Sequence, residues 1–204
     1  MNKTERVQFI CETLDTLYPN PPIPLEHNNV FSLLIATVLS AQCTDKRVNV
    51  ITPVLFKKYR DVHEFAKADV EEVKDIIKSC GLSGSKSKAI VALSKSIVEK
   101  FNGEVPGNFK ELETLSGVGH KTASVVMSQG FNVQAFPVDT HIHRLAKRWK
   151  LSNGKSVEQT EEDLKKVFKK ETWNLRHLQI IYFGREYCPA RGHDIKTCPI
   201  CNKI

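Results

Sequence analysis

Nothing in this chain is long and apolar enough to cross a bilayer. The longest apolar stretch, Phe31 to Ala41, is too short and carries Ser32, Thr37 and Ser40. The start, MNKTERVQFI, is charged at once and lacks the apolar core of a signal peptide, so a soluble cytoplasmic protein with no membrane partner is expected. Sustained apolar alternation is also missing, which argues against a sheet. There is no internal repeat and no low-complexity segment, which argues against a solenoid or a disordered linker. Six cysteines do not make a disulfide framework in a reducing cytosol. Cys11, Cys43 and Cys80 are scattered along apolar faces and read as buried thiols. Cys188, Cys198 and Cys201 are bunched near the C-terminus and need another explanation.

What is present is helical periodicity and positive charge. The 204 residues, 41% hydrophobic and 26% charged, suffice for one good core or two small helical lobes. Thirty Lys and Arg against 23 Asp and Glu leave a net charge of +7. That excess favours a polyanionic partner, nucleic acid being the usual one, against the plainer reading of a basic cytosolic domain. Apolar residues at Val7, Ile10, Leu14 and Leu17 share one helical face from Thr4 to Tyr18. Pro19 to Pro24 forces an extended crossing. From Val30 the pattern is helical and apolar nearly all round, as in a central helix. Further helices are expected from Asp69 to Cys80-Gly81, from Ser85 to Asn102-Gly103, from a Ser156/Gln159 capping box to about Lys170, and from Trp173 to Tyr187. The fold class is all-α.

The most informative stretch runs from Phe109 to Met127, where Leu115-Ser-Gly-Val-Gly119 joins two helical patterns. Gly117 and Gly119 allow a tight turn and bare backbone N–H groups at a helix start, which suits a phosphate whatever the base sequence. A ligand-free αα-hairpin would need no more than a Gly-x-Gly. The longer run Leu-x-Gly-Val-Gly-x-Lys-Thr-Ala resembles the helix-hairpin-helix element of base-excision DNA glycosylases. Eighteen positions after Lys121 comes Asp139, in Phe136-Pro-Val-Asp-Thr-His-Ile-His-Arg144. A helix N-cap role for Asp139 is compatible with a catalytic one.

Together with MNKTERV, Phe31-Ser-Leu-Leu-Ile-Ala, Leu39-Ser-Ala-Gln-Cys-Thr-Asp45, Asn102-Gly-Glu-Val-Pro106 and Gly184-Arg-Glu-Tyr-Cys188, these runs are similar to the endonuclease III family. That family comprises bifunctional glycosylase/lyases for oxidised pyrimidines. The resemblance implies two helical lobes, residues 24–132 with the hairpin at 109–127, and residues 1–23 plus 133–204, with a cleft between them. It implies damaged double-stranded DNA as partner, and a monomer is expected. Lys121 would attack C1′ of a flipped nucleotide, form a Schiff base and cleave the strand by β-elimination. Asp139 would take a proton from the amine or stabilise charge on the sugar. Gln42 would fill the vacated space in the duplex and Leu82 would wedge the other strand. A capping role for Gln42 and a minor core role for Leu82 are the plainer alternatives. His120 is read as a phosphate-side or solvent residue, His141 as a structural hydrogen-bonder, and Arg191 and Lys196 as DNA-facing cations. Rival functions are a monofunctional glycosylase and a non-catalytic helix-hairpin-helix module.

At the C-terminus the chain departs from the family. Endonuclease III relatives usually hold a [4Fe–4S] cluster with four cysteines. Here a nine-residue gap separates Cys188 from Cys198, Cys201 follows, and no fourth cysteine comes after it. Three readings stay open over residues 188–201: a loop without metal, a Cys3His set completed by His193, or a cluster with an external or labile ligand.

Overall fold

Short polar residues set most of the helix starts. Asn2 with Glu5, and Asn29 with Ser32, cap α1 (Lys3–Leu17) and α2 (Val30–Ser40) reciprocally. Thr44, Asp61 and Asp69 cap α3 (Asp45–Lys58), α4 (Val62–Ala66) and α5 (Val70–Ile76) through their side-chain oxygens. α6 (Ser83–Lys100) has no such cap and starts at Leu82, whose backbone is left-handed at φ +60°. Asn108 caps α7 (Phe109–Leu112), and α8 (His120–Val125) runs on into a π-helical turn, Val126–Gly130. α9 (Thr140–Arg148), α10 (Val157–Val167) and α11 (Trp173–Glu186), the last entered through a 3-10 turn at Lys170–Thr172, complete an all-α chain. This computed structural model describes residues 1–204.

Two expected helices end early. The one beginning after Asp69 stops at Ile76, and the Cys80 N–H donates to the Ile77 carbonyl in a turn that buries both side chains. α10 stops at Val167 because the next residue, Phe168, turns into the core. Ser156 does accept from the Gln159 N–H, but the Gln159 side chain reaches Asp163 instead of returning to the cap. Half of the expected capping box is therefore made.

The chain divides into two compact units, residues 23–133 and residues 1–22 with 134–204. In the first, every residue of α2 from Ser32 to Leu39 is buried, which fits a helix without a polar face. α4 and α5 pack on α6, and Phe31, Phe56 and Tyr59 surround Phe65 with ring centroids 5.2–6.1 Å away. Burying one such aromatic or a leucine contributes about 1.5–3 kcal/mol. In the second unit, Trp149 packs edge-on against Phe183. The buried Arg176 reaches from α11 to α1, donating to both Asp15 oxygens at 2.6 and 2.9 Å. Gln179 donates to Asp15 and to the Tyr18 carbonyl beside it. A polar clamp thus fastens the first helix to the last.

Candidate functional site

The hairpin is shaped by a glycine the fold cannot replace. Gly117 sits at φ +76°, and a Cβ there would lie 2.8 Å from the Cβ of Ala89 on α6. Leu115 and Val118 are buried on either side, and the Val118 N–H donates to the Leu115 carbonyl to close the turn. Gly119 differs. It is the N-cap of α8 at φ −98°, and a Cβ there would meet nothing within 4 Å. Nothing inside the protein requires glycine at 119, whereas a bare backbone permits close approach from outside. No side chain caps α8, so its first-turn amides have no side-chain acceptor.

His120 stacks on Phe109, with ring centroids 5.8 Å apart, and its Nδ1 lies 2.8 Å from Glu113 Oε1. The exposed imidazole thereby pins the start of α8 to α7. Lys121 follows it and is exposed in the first turn of α8. The π-helical turn that ends this element seats Gly130 against Val30 and Leu33 of α2. Such a turn is rare and frequent near functional sites.

Asp139 belongs to the other unit. Four buried residues, Ala135 to Val138, lead into it, and its Oδ1 accepts from the Ile142 N–H at 2.8 Å as the N-cap of α9. One carboxylate oxygen thus holds the helix start. One turn on, Arg144 donates to His141 Nδ1 and to the carbonyls of Gly184 and Cys188 at 3.1 and 3.0 Å. Arg144 thus ties α9 to the end of α11, and burial pushes the His141 imidazole pKa down. His141 is a hydrogen-bonding member of that tie.

Gln42 and Leu82 lie in neighbouring turns: a Cβ on Gly81 would come 3.1 Å from the Gln42 carbonyl oxygen. Both have left-handed backbones, at φ +53° and +60°. A bulky non-glycine residue there is an outlier, costing about 1–2 kcal/mol. Leu82 is 52% exposed, which removes the minor core role. Thr44, not Gln42, caps the following helix. Lys86, a buried residue that the sequence did not single out, donates to the Leu39 carbonyl at 2.9 Å and holds the end of α2 just before Gln42.

Near the C-terminus, Cys188, His193, Cys198 and Cys201 bring one ligand atom each to within 4.8 Å of one another. The Cys188 and Cys201 sulfurs are 3.8 Å apart. The Cys201 thiol and the Arg148 guanidinium, which donates to Cys188 Sγ at 3.1 Å, hold the Cys188 pKa below its ordinary value. No local sequence signal pairs Arg148 with Cys188, because forty positions separate them. A cubane cluster, whose four ligands bind four different irons, does not fit donor atoms that all lie this close together.

A model of the HhH-GPD superfamily of base excision DNA repair proteins matches residues 35–170. Endonuclease III of Bacillus subtilis (strain 168) is 40% identical over 201 residues, covering 98% of this chain and 92% of its own length. A solved non-covalent endonuclease III–DNA complex matches with a TM-score of 0.95 at 40% identity, over 99% of this chain and 95% of that one. A trapped endonuclease III–DNA covalent intermediate matches at 0.94, also 40% identical, over 98% and 94%.

Proposed function

The chain belongs to the endonuclease III family of HhH-GPD base excision repair proteins, and from that premise we propose that it excises oxidised pyrimidines from duplex DNA, with Lys121 as nucleophile and Asp139 as its carboxylate partner. It is a DNA glycosylase and abasic-site lyase of base excision repair. The observation that carries the assignment of the nucleophile is the exposed Lys121 amine in the first turn of α8, directly after the bare Gly119.

The chemistry follows from a neutral amine meeting an electrophilic sugar carbon. Lys121 Nζ attacks C1′, the glycosidic bond breaks with its electron pair, and the base leaves with a proton. Opening of the C1′–O4′ bond gives a C1′=N Schiff base. Loss of a C2′ proton then expels the 3′ phosphate by β-elimination. Asp139, held by its N-cap bond to Ile142, takes the amine's proton or stabilises positive charge on the sugar. Gln42 and Leu82, exposed on strained turns, are suited to occupy the gap left by the flipped nucleotide. Gly117, Gly119 and His120 of the hairpin, with Arg191 of the C-terminal loop, supply sequence-independent contacts to the phosphate backbone.

The decisive experiment is borohydride trapping on duplex carrying one oxidised pyrimidine. Wild-type protein should give a covalent protein–DNA adduct and a β-eliminated strand, and Lys121→Ala should give neither. Full strand cleavage by Lys121→Ala would refute the nucleophile. Release of the base without strand cleavage by the wild type would mark a monofunctional glycosylase.

A further inference from the structure

The C-terminal cysteine loop takes no part in the chemistry proposed for Lys121 and Asp139, and its geometry points to a ligand of its own. Cys188 and Cys198 are 0% and 1% exposed, and Cys201 and His193 are partly buried. An ion bound tetrahedrally, with metal–sulfur bonds of about 2.3 Å, spaces its sulfurs about 3.8 Å apart. The Cys188 and Cys201 sulfurs are 3.8 Å apart, and no pair among the four ligand atoms exceeds 4.8 Å. A second observation is independent of these distances: His193 Nε2 is buried without a hydrogen-bond partner. An unsatisfied buried polar atom is destabilising and rare enough in native proteins to need an explanation.

We propose that Cys188, His193, Cys198 and Cys201 bind a single zinc(II) ion as a closed Cys3His site. Four protein donors leave no open position, so the site is structural and not catalytic. Nitrogen and thiolate donors in a tetrahedral set select zinc over harder divalent ions. Zinc displaces the thiol protons as it binds and leaves a net charge of minus one, which the Arg148 guanidinium on Cys188 Sγ offsets. The Cys201 N–H donates to Cys198 Sγ at 3.4 Å and supports a second thiolate. Gly192, at φ +70°, turns the chain so that His193 comes back toward the three sulfurs. The ion orders residues 188–201, the loop that carries Arg191 and Lys196.

The test reads metal, not activity, so its failure is separate from any failure of the glycosylase assignment. The full chain is produced without a metal-binding tag in medium supplying iron and zinc, and purified anaerobically. One zinc per chain with no stoichiometric iron or sulfide is expected, and the cobalt(II)-exchanged protein should show the intense d–d bands of a four-coordinate thiolate site. Iron with matching sulfide, or folded metal-free protein after zinc has been offered, overturns the proposal. His193→Cys should keep the zinc and move the cobalt bands toward all-thiolate coordination. His193→Ala should lose zinc to a chelator at least about tenfold more readily, since even outer-shell partners are worth 10–100-fold in affinity. Unchanged retention in His193→Ala would equally overturn it.

Discussion

At the scale of single residues, two glycines two positions apart do different work, and substitution separates them. Gly117→Ala places a Cβ 2.8 Å from Ala89 at a left-handed φ. It should lower stability by about 1–3 kcal/mol in a urea melt. Gly119→Ala meets no atom, so the loss should stay near that of a poorer N-cap, under about 1 kcal/mol. Its affinity for duplex DNA should nevertheless fall, because the phosphate contact proposed for Gly119 needs a bare backbone. Equal affinity for Gly119→Ala and wild type would detach the hairpin from DNA binding. Leu82→Gly makes the complementary case. Relief of about 1–2 kcal/mol of left-handed strain is partly offset by about 0.5–1 kcal/mol of backbone entropy. The melting temperature should hold or rise while lesion excision slows. A variant that keeps full excision would show that Leu82 is not a wedge.

At the scale of elements, the clamp between α1 and α11 should be visible in the pH dependence of stability. The Arg176 guanidinium, bonded to both Asp15 oxygens, holds the Asp15 carboxyl below its ordinary value of 3.8. A depressed carboxyl contributes stability above its unfolded pKa and loses it as pH falls through the folded one. The stability gap between wild type and Asp15→Asn should therefore be present at pH 7 and close below about pH 4. A gap of constant size in urea titrations at pH 7 and pH 3 would mean that the ion pair is not its source. Legibility also varied by element. α1, α2, α6 and α11 were readable because their apolar residues recur along one face or all round. α3 was not, since Pro53 stands inside it and Val50 and Val54, both 59% exposed, blur its apolar stripe.

At the scale of the whole molecule, the net charge of +7 should act on encounter with DNA more than on folding. The logarithm of the binding constant should fall linearly with that of salt concentration, with a slope of about −0.9 per phosphate neutralised. Arg191→Ala should make that slope shallower by about one and weaken all duplex sequences alike. A slope that does not change would place Arg191 away from the phosphates. No helix is long and apolar enough to cross a membrane.

The amino-acid sequence by itself determined the all-α class, the helix-hairpin-helix stretch, the family resemblance and the residues to test. These rest on local periodicity, turn glycines and short collinear motifs, which need no distant partner. Only the tertiary structure decided which side chains meet. It brought His193 to three cysteines, Arg148 to Cys188 and Arg176 to Asp15. It also showed Gly117 to be sterically required where Gly119 is not. Such pairings depend on how helices far apart in the chain bury their apolar faces together, and residue spacing along one strand of sequence does not encode that.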